Sequence, residues 1–424
     1  MSATDSHRAT HRSIEAIWRI ESARVIAGLT RLTRDVGLAE DLAQEALLAA
    51  LEQWPQSGVP DNPAGWLTTT AKRRAIDVFR RNALADHKYA DLARDLEALE
   101  QTAPDLNATL DDPIGDDLLR LVFISCHPVL STESRVALTL RLLGGLTTPE
   151  IARAFLTPEP TIAQRIVRAK RTLADKHIPF EVPRGPELTA RLASVLEVIY
   201  LIFNEGYSAT SGDDLIRPAL CEDALRLGRI LAELTPLEPE VHGLVALMEI
   251  QASRTRARVS ATGEPILLFA QNRAHWDPLL IRRGLAAISR AQNIGNPRGP
   301  YLLQAEIAAC HARALTPDAT DWPRIVALYT ELARVAPSPV VELNRAVAVS
   351  MAHGPQPALD LVEAIATDPS LAQYHLLPSV RADLLFKLGR LAEARHQFER
   401  AAALTKNVRE RDLLLSRAAS CAER

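Results

Sequence analysis

Thr161, Gln164, Arg165, Arg168 and Arg171 are spaced by one to three residues in "TIAQRIVRAKRTL". On a helix, steps of three and four gather side chains on one flank. An amide and guanidiniums gathered there have a definite chemistry. Arginine bonds guanine edges and phosphates, and glutamine bonds adenine or phosphate. Ile162, Ile166, Ala169 and Leu173 make an apolar stripe. At 100° per residue, Gln164, Arg168 and Arg171 lie opposite it, with Thr161 and Arg165 at its side. One face packs and the other offers donors to a groove. A solvated charged face on a surface helix has the same pattern.

A second basic segment is "DNPAGWLTTTAKRRAIDVFRR". Leu67, Ala71, Ala75 and Val78 form its packing stripe. Trp66, Thr69, Thr70, Arg73, Asp77 and Arg80 fall on the other side, with Lys72 at the edge. A tryptophan, hydroxyls and cations on one face suit backbone contact and stacking on unpaired bases. Packing into a core is the alternative for Trp66, and Arg74 lies near the buried stripe. Upstream, "AEDLAQEALLAALEQW" has two apolar faces. Leu42, Ala46, Ala49 and Ala50 make one; Leu47, Leu48 and Leu51, near Asp41 and Gln44, make the other. Such a helix is either fully buried or docks a partner.

The elements that must position these residues are legible. Thr147-Thr148-Pro149-Glu150 offers an N-cap, an early-turn proline and a capping-box glutamate. Pro158 and Pro160 then interrupt the chain, because each lacks an N–H and restricts the residue before it. Thr161 and Gln164 suggest a second capping box. The result is two helices around a tight corner. Many such corners hold glycine where this one has Leu156, and leucine tolerates positive φ poorly, so the turn is expected to differ slightly from the common type. For the basic segment, Asp61 or Asn62 can cap and Pro63 suits the first turn.

Other chemistry is sparse. Four cysteines are scattered without a CxxC or Cys/His cluster, which excludes a zinc or disulfide framework and fits a reducing cytoplasm. His127, His242, His275 and His311 are isolated in sequence, and no metal or cofactor is expected. "RLASVLEVIYLIFNEGYSATSGDD" reads as a helix striped by Leu192, Val195, Leu196, Ile199 and Phe203. It stops at Asn204-Glu205-Gly206, with Gly206 as a C-terminal glycine. Asn204, Glu205 and Tyr207 are either a small ligand site or a helix stop bonded to nearby backbone. His275-Trp276-Asp277 fits a packed corner. No nucleophile–base motif marks an enzyme.

The 424 residues are 47% apolar with 4% aromatics and a net charge of −3. Nucleic-acid contact must therefore come from local patches. No apolar run is long enough to span a membrane and no secretory segment is evident. Strand-like alternation is nearly absent, so the expected fold class is all-α. Residues 10–81 are helical. Residues 82–117 hold ten acidic against two basic residues and read as a linker, with a short helix near 92–99. Helices return over 118–177, and the proline-rich 178–187 reads as a boundary. A long helical region fills 188–424. Within about 340–424, Gly354 and Gly389 sit 35 residues apart between helical patterns. Gly389, Ala394, Phe398 and Ala401 match tetratricopeptide packing positions.

Together these segments resemble a bacterial RNA polymerase sigma factor of the sigma-70 family, extracytoplasmic-function type. The 41–54 helix is similar to the region-2 helix that docks on the clamp helices of the polymerase, with Asp41, Gln44, Glu45 and Leu48 matching. The 61–81 segment resembles the part that opens and reads the −10 element. Trp66, Thr69, Lys72, Arg73, Asp77 and Arg80 are its implied contacts. The 147–173 segment resembles the region-4 helix-turn-helix that reads the −35 element and meets the polymerase flap. Thr161, Gln164, Arg165, Arg168 and Arg171 are the matching positions. An acidic linker joining two such modules is also the family's pattern. "YLIFNEGYSAT", "SPVVELNRAVAV" and "YHLLPSVRADLLFKLGR" resemble a subgroup with a long tetratricopeptide-like extension. The resemblance implies a non-enzymatic promoter-specificity subunit. Its extension tunes activity, with an unknown regulator as a further partner. The competing reading is a conventional activator or repressor with a tetratricopeptide sensor, binding duplex DNA alone.

Overall fold

The computed structural model describes residues 3–83, 113–209, 211–212, 215–260, 264–295 and 297–422. The described residues are helical apart from two short strand pairings. They form two compact units, 1–199 and 200–424.

The first unit opens with α1 (Ala3–Thr33), α2 (Val36–Ser57) and α3 (Pro63–Ala83). Asp35 caps α2 by accepting from the Leu38 N–H at 3.0 Å. Of the two cap candidates for α3, Asn62 serves: its Oδ1 accepts from the Gly65 N–H at 2.9 Å. Most of the expected linker lies outside the described residues, including the short helix near 92–99. Its ends are helical: α3 runs through Ala83, and α4 (Pro113–Ser125) begins before residue 118. α4 packs on α1 through a face that includes Leu118, Leu121 and Val122. Asp117, read as linker, is buried between Arg31 at 3.1 Å and Arg120 at 2.7 Å. Then come α5 (Thr132–Leu142), α6 (Thr148–Ala154) and α7 (Glu159–Asp175).

α8 (Pro186–Tyr207) gives its residues up to Ile199 to this unit. Arg191 donates to the Phe123 carbonyl at 2.8 Å, and Ser194 donates to that of Cys126 at 2.6 Å. These bonds satisfy carbonyls at the end of α4 that have no partner within the helix. The expected stripe Leu192, Val195, Leu196, Ile199, Phe203 is buried throughout. The helix does not stop at Asn204-Glu205-Gly206 but continues to Tyr207. Gly206 is there for close approach: a Cβ would meet the Cys221 nitrogen at 2.7 Å and Leu220 at 2.8 Å.

In the second unit, α9 (Pro218–Leu234), α10 (Pro239–Ala252), α11 (Pro278–Ile294) and α12 (Pro300–Arg313) follow. Each begins on proline, whose fixed φ and missing N–H suit a first helical position. Trp276 is buried and Asp277 caps α11, so His275-Trp276-Asp277 is a packed corner. Next are α13 (Trp322–Val335), α14 (Pro339–His353), α15 (Pro355–Ile365), α16 (Leu376–Lys387), α17 (Leu391–Leu404) and α18 (Val408–Ser420). The α14–α15 and α16–α17 pairs are successive hairpins with Gly354 at φ 94° and Gly389 at φ 77° in their corners. Ala394, Phe398 and Ala401 are fully buried in one core with Leu343, Ala358 and Leu385. The two-residue parallel pairing of 211–212 with 406–407 brings Asn407 to the Ala209 carbonyl at 3.2 Å.

Candidate nucleic-acid interface

α7 is amphipathic as expected. Ile162, Ile166, Ala169 and Leu173 are buried, while Gln164, Arg168 and Arg171 are exposed. Thr161 and Arg165 are half-buried at the flank. Arg168 has no carboxylate partner among the described residues. Arg171 reaches Asp175 at 3.4 Å across the surface, a pairing worth under about 1 kcal/mol in water. Arg165 helps hold the Glu133 carboxyl below its ordinary range, after the larger effects of the Glu133 backbone N–H and the Ser131 hydroxyl.

The corner before α7 differs from expectation in two respects, the second capping box and the turn at Leu156. The Thr147/Glu150 capping box forms: the Thr147 N–H donates to Glu150 at 2.8 Å, and the Glu150 N–H to Thr147 Oγ1 at 3.4 Å. The second box, Thr161 with Gln164, does not. α7 starts at Glu159 with Pro158 as its N-cap, so Thr161 already lies inside the first turn. Pro160 falls where no N–H is needed, so the helix starts three residues early. Leu156 has φ 46°, so a leucine occupies the left-handed position.

In α3, Leu67, Ala71 and Ala75 are buried, but Val78 is only half-buried. Ile76 and Phe79 carry the packing instead. Arg73, Asp77 and Arg80 are exposed; Trp66, Thr69 and Lys72 are half-buried. Trp66 meets the buried Trp54 edge-on at 5.3 Å between ring centroids. Trp66 is thus packed along one edge, and its ring is not fully covered.

In α2, Leu42, Ala46, Ala49 and Ala50 are buried. The second apolar face is the solvent-facing one. Asp41, Gln44, Glu45 and Leu48 share it, and Leu48 is 58% exposed. Glu45 is tied to Arg74 of α3 at 2.7 Å, which joins the two candidate surfaces.

One constellation was not foreseen. Glu40, 2% exposed, receives Arg141 of α5 at 2.5 Å and Lys170 of α7. Lys170 Nζ also lies 3.6 Å from Asp41. Arg19 of α1 meets Glu150 at the start of α6 at 2.9 Å. Burial would raise the Glu150 carboxyl, but the Thr147 N–H and hydroxyl and Arg19 together hold it low. These pairs clasp α1 and α2 to the helix-turn-helix within the first unit. Charge patterning does not reveal such pairs, because the partners are over a hundred residues apart.

All four cysteines are buried and free, and the described residues contain no cluster able to hold a metal. No described helix is long and apolar enough to cross a membrane.

Comparison with known proteins agrees with this geometry. Residues 19–84 match the family described as Sigma-70 region 2, and residues 120–173 match Sigma-70, region 4. Residues 191–292 match a family of unknown function. An uncharacterized protein of Rhizobium meliloti is 43% identical over 91% of this chain and 90% of its own length. The ECF RNA polymerase sigma factor SigK of Mycobacterium ulcerans is 30% identical over 35% of this chain and 78% of its own. The probable ECF RNA polymerase sigma factor SigI of Mycobacterium tuberculosis is 27% identical over 41% of this chain and 58% of its own. No solved structure matches. With both Sigma-70 regions matched and an extracytoplasmic-function relative aligned over most of its own length, the chain belongs to the sigma-70 family of RNA polymerase sigma factors, extracytoplasmic-function type.

Proposed function

We propose that this chain, in the bacterial cytoplasm, binds core RNA polymerase through the α2 face of Asp41, Gln44, Glu45 and Leu48. The α3 face of Trp66, Thr69, Lys72, Arg73, Asp77 and Arg80 then opens and reads the −10 element. The α7 face of Thr161, Gln164, Arg165, Arg168 and Arg171 reads the −35 element. RNA synthesis itself belongs to the polymerase, and the 200–424 unit modulates the activity. The observation that carries this reading is the α7 geometry: four apolar residues buried, and Gln164, Arg168 and Arg171 left in solvent.

Distances add a mechanistic requirement. Elements roughly 25 base pairs apart are about 85 Å apart at ~3.4 Å per pair. A folded unit of 199 residues has a radius of gyration of about 16 Å. The first unit must therefore part between α3 and α4 to hold both elements. Residues 84–112, at ~3.3 Å each, can reach about 95 Å. The Glu40 clasp breaks in that step, so the packed arrangement is the form off DNA.

Reconstitution with core polymerase, followed by mapping the promoters opened, tests the reading with two variants. Arg168→Ala should keep core binding, lower promoter occupancy by about tenfold or more and flatten the salt slope by about one. Leu48→Asp should lose core binding itself while the free chain still folds. Unchanged promoter opening and salt dependence with Arg168→Ala would refute the region-4 assignment.

A further inference from the structure

The second unit contains a cavity of about 290 Å³. At ~30 Å³ per water that is room for about ten waters, or a ligand of about ten non-hydrogen atoms. Five helices, the turn after α10 and Leu268 line it. α8 contributes Tyr200, Phe203, Asn204 and Tyr207, which recur at helical spacing on one face. α12 contributes a matching face through Gln304, Ala308 and His311. Tyr329 comes from α13, Asn344 from α14, and Arg254 from just beyond α10. The "NEGY" motif is thus divided. Asn204 and Tyr207 reach the cavity, while Glu205 is buried in an ion pair with Arg217.

The wall has an unbalanced charge. Among the described residues, no aspartate or glutamate lines the cavity. Arg254 donates to the Gln271 and Gln251 side-chain oxygens at 3.2 and 3.1 Å and lies over the Trp276 ring at 5.2 Å. It has no carboxylate partner among the described residues. Arg273 covers the same ring, also at 5.2 Å, and bonds only carbonyls and the Thr320 hydroxyl. Arg258 stacks on Tyr207 at 3.7 Å. Glu410, the acid that feels Arg258, is already bonded to His375 and Thr405. A half-buried guanidinium without an anion carries a desolvation penalty that an incoming anion would offset.

The remaining lining groups are neutral and short of partners. Burial, then Arg254 and Arg273, push His311 down to about 4, so its ring is uncharged at neutral pH, and its buried Nδ1 is unbonded. Burial pushes the Tyr329 hydroxyl up to about 12, so it stays a donor. The half-buried Tyr200 and Tyr329 hydroxyls, and the Asn204 and Asn344 amides at the solvent-exposed edge, have no side-chain hydrogen-bond partner among the described residues. Converging aromatic rings, unbonded polar groups and one cation in a concave site are what a small-molecule pocket is made of.

We propose that this cavity binds a small hydroxylated aromatic carboxylate. Its carboxylate lies on Arg254, its ring among Tyr200, Phe203, Tyr207 and Tyr329, and its hydroxyl on the free amides. The site is separate from the polymerase and DNA faces, so its occupancy does not depend on their assignment. It would give the extension a chemical input.

Calorimetric titration of the full chain with salicylate, para-hydroxybenzoate and protocatechuate, each beside its carboxamide, tests this. At least one acid should bind saturably at one per chain. Its amide should bind about tenfold more weakly or worse, as loss of a charge-assisted hydrogen bond requires. Arg254→Gln should weaken the acid by about tenfold or more, and Arg254→Lys by less. Ala308→Leu, which fills the cavity and leaves the cation alone, should abolish binding. Thermal melts without ligand confirm that each variant is folded. If Arg254→Gln does not fold, the acid–amide comparison and Ala308→Leu decide. No saturable binding by any of the three acids overturns the proposal. So does equal binding of acid and amide, or a folded Arg254→Gln that binds like the parent.

Discussion

Leu156 holds φ 46° at the corner between α6 and α7, with its side chain largely in solvent. A left-handed conformation costs a leucine about 1 kcal/mol, and an exposed side chain returns little packing for it. Asparagine enters this region several-fold more readily. Leu156→Asn should therefore stabilise the first unit by about 0.5–1 kcal/mol, or roughly 2–4 °C in melting temperature. A fall in melting temperature would show that Leu156 packs more than its exposure suggests. The residue was suspect from sequence alone because it stands where such corners prefer glycine. Arg168 belongs at the same scale: its isolation from carboxylates leaves the whole guanidinium available to a phosphate or a guanine edge.

Among elements, α2 has the most divided duty. One side packs through Leu42, Ala46, Ala49 and Ala50, another shows Leu48 to solvent, and Glu40 anchors α5 and α7. Removing one partner of a buried ion pair leaves the others uncompensated and costs about 3–5 kcal/mol. Arg141 and Lys170 are partly solvated, so the low end applies. Glu40→Gln should lower the unfolding free energy of the first unit by about 3 kcal/mol. Amide exchange should also accelerate more over 159–175 than over 36–57. Unchanged protection along α7 would remove the clasp from the account. Under the proposed function the clasp opens on DNA, so the same variant should not lose promoter opening once bound to core polymerase.

For the whole molecule, the point of division matters. The prolines at 178–187 suggest a boundary, yet the first compact unit runs to Ile199. The residues between supply Arg191 and Ser194 to the end of α4, and Arg135 bonds both Ser194 and Glu197, the latter at 3.0 Å. A chain ending at 178 leaves buried Arg135 and two carbonyls without these partners, at about 1–3 kcal/mol each. It should melt roughly 5–10 °C below a chain ending at 199. Equal melting temperatures would place the boundary at the prolines after all. Transcription by the 1–199 chain against the full chain then isolates what the extension adds or suppresses.

Local rules settled much of this protein before any tertiary contact was known. Helical periodicity placed the buried stripe of α7 and the Thr147/Glu150 box correctly, because each depends on residues within two turns, but it left the second apolar face of α2 undecided between burial and docking. The same rule missed Phe79, since which flank of α3 is covered depends on where α1 and α2 lie. Proline chemistry marked the corner before α7 but put the helix start three residues late. Only the tertiary structure decided the Glu40 clasp, whose carboxylate and cations are over a hundred residues apart. It also decided the cavity, where five helices bring Arg254 together with aromatic and amide side chains and, among the described residues, no carboxylate. Sequence spacing reports which side chains share a helix face, whereas burial and charge balance depend on what the rest of the chain places opposite that face.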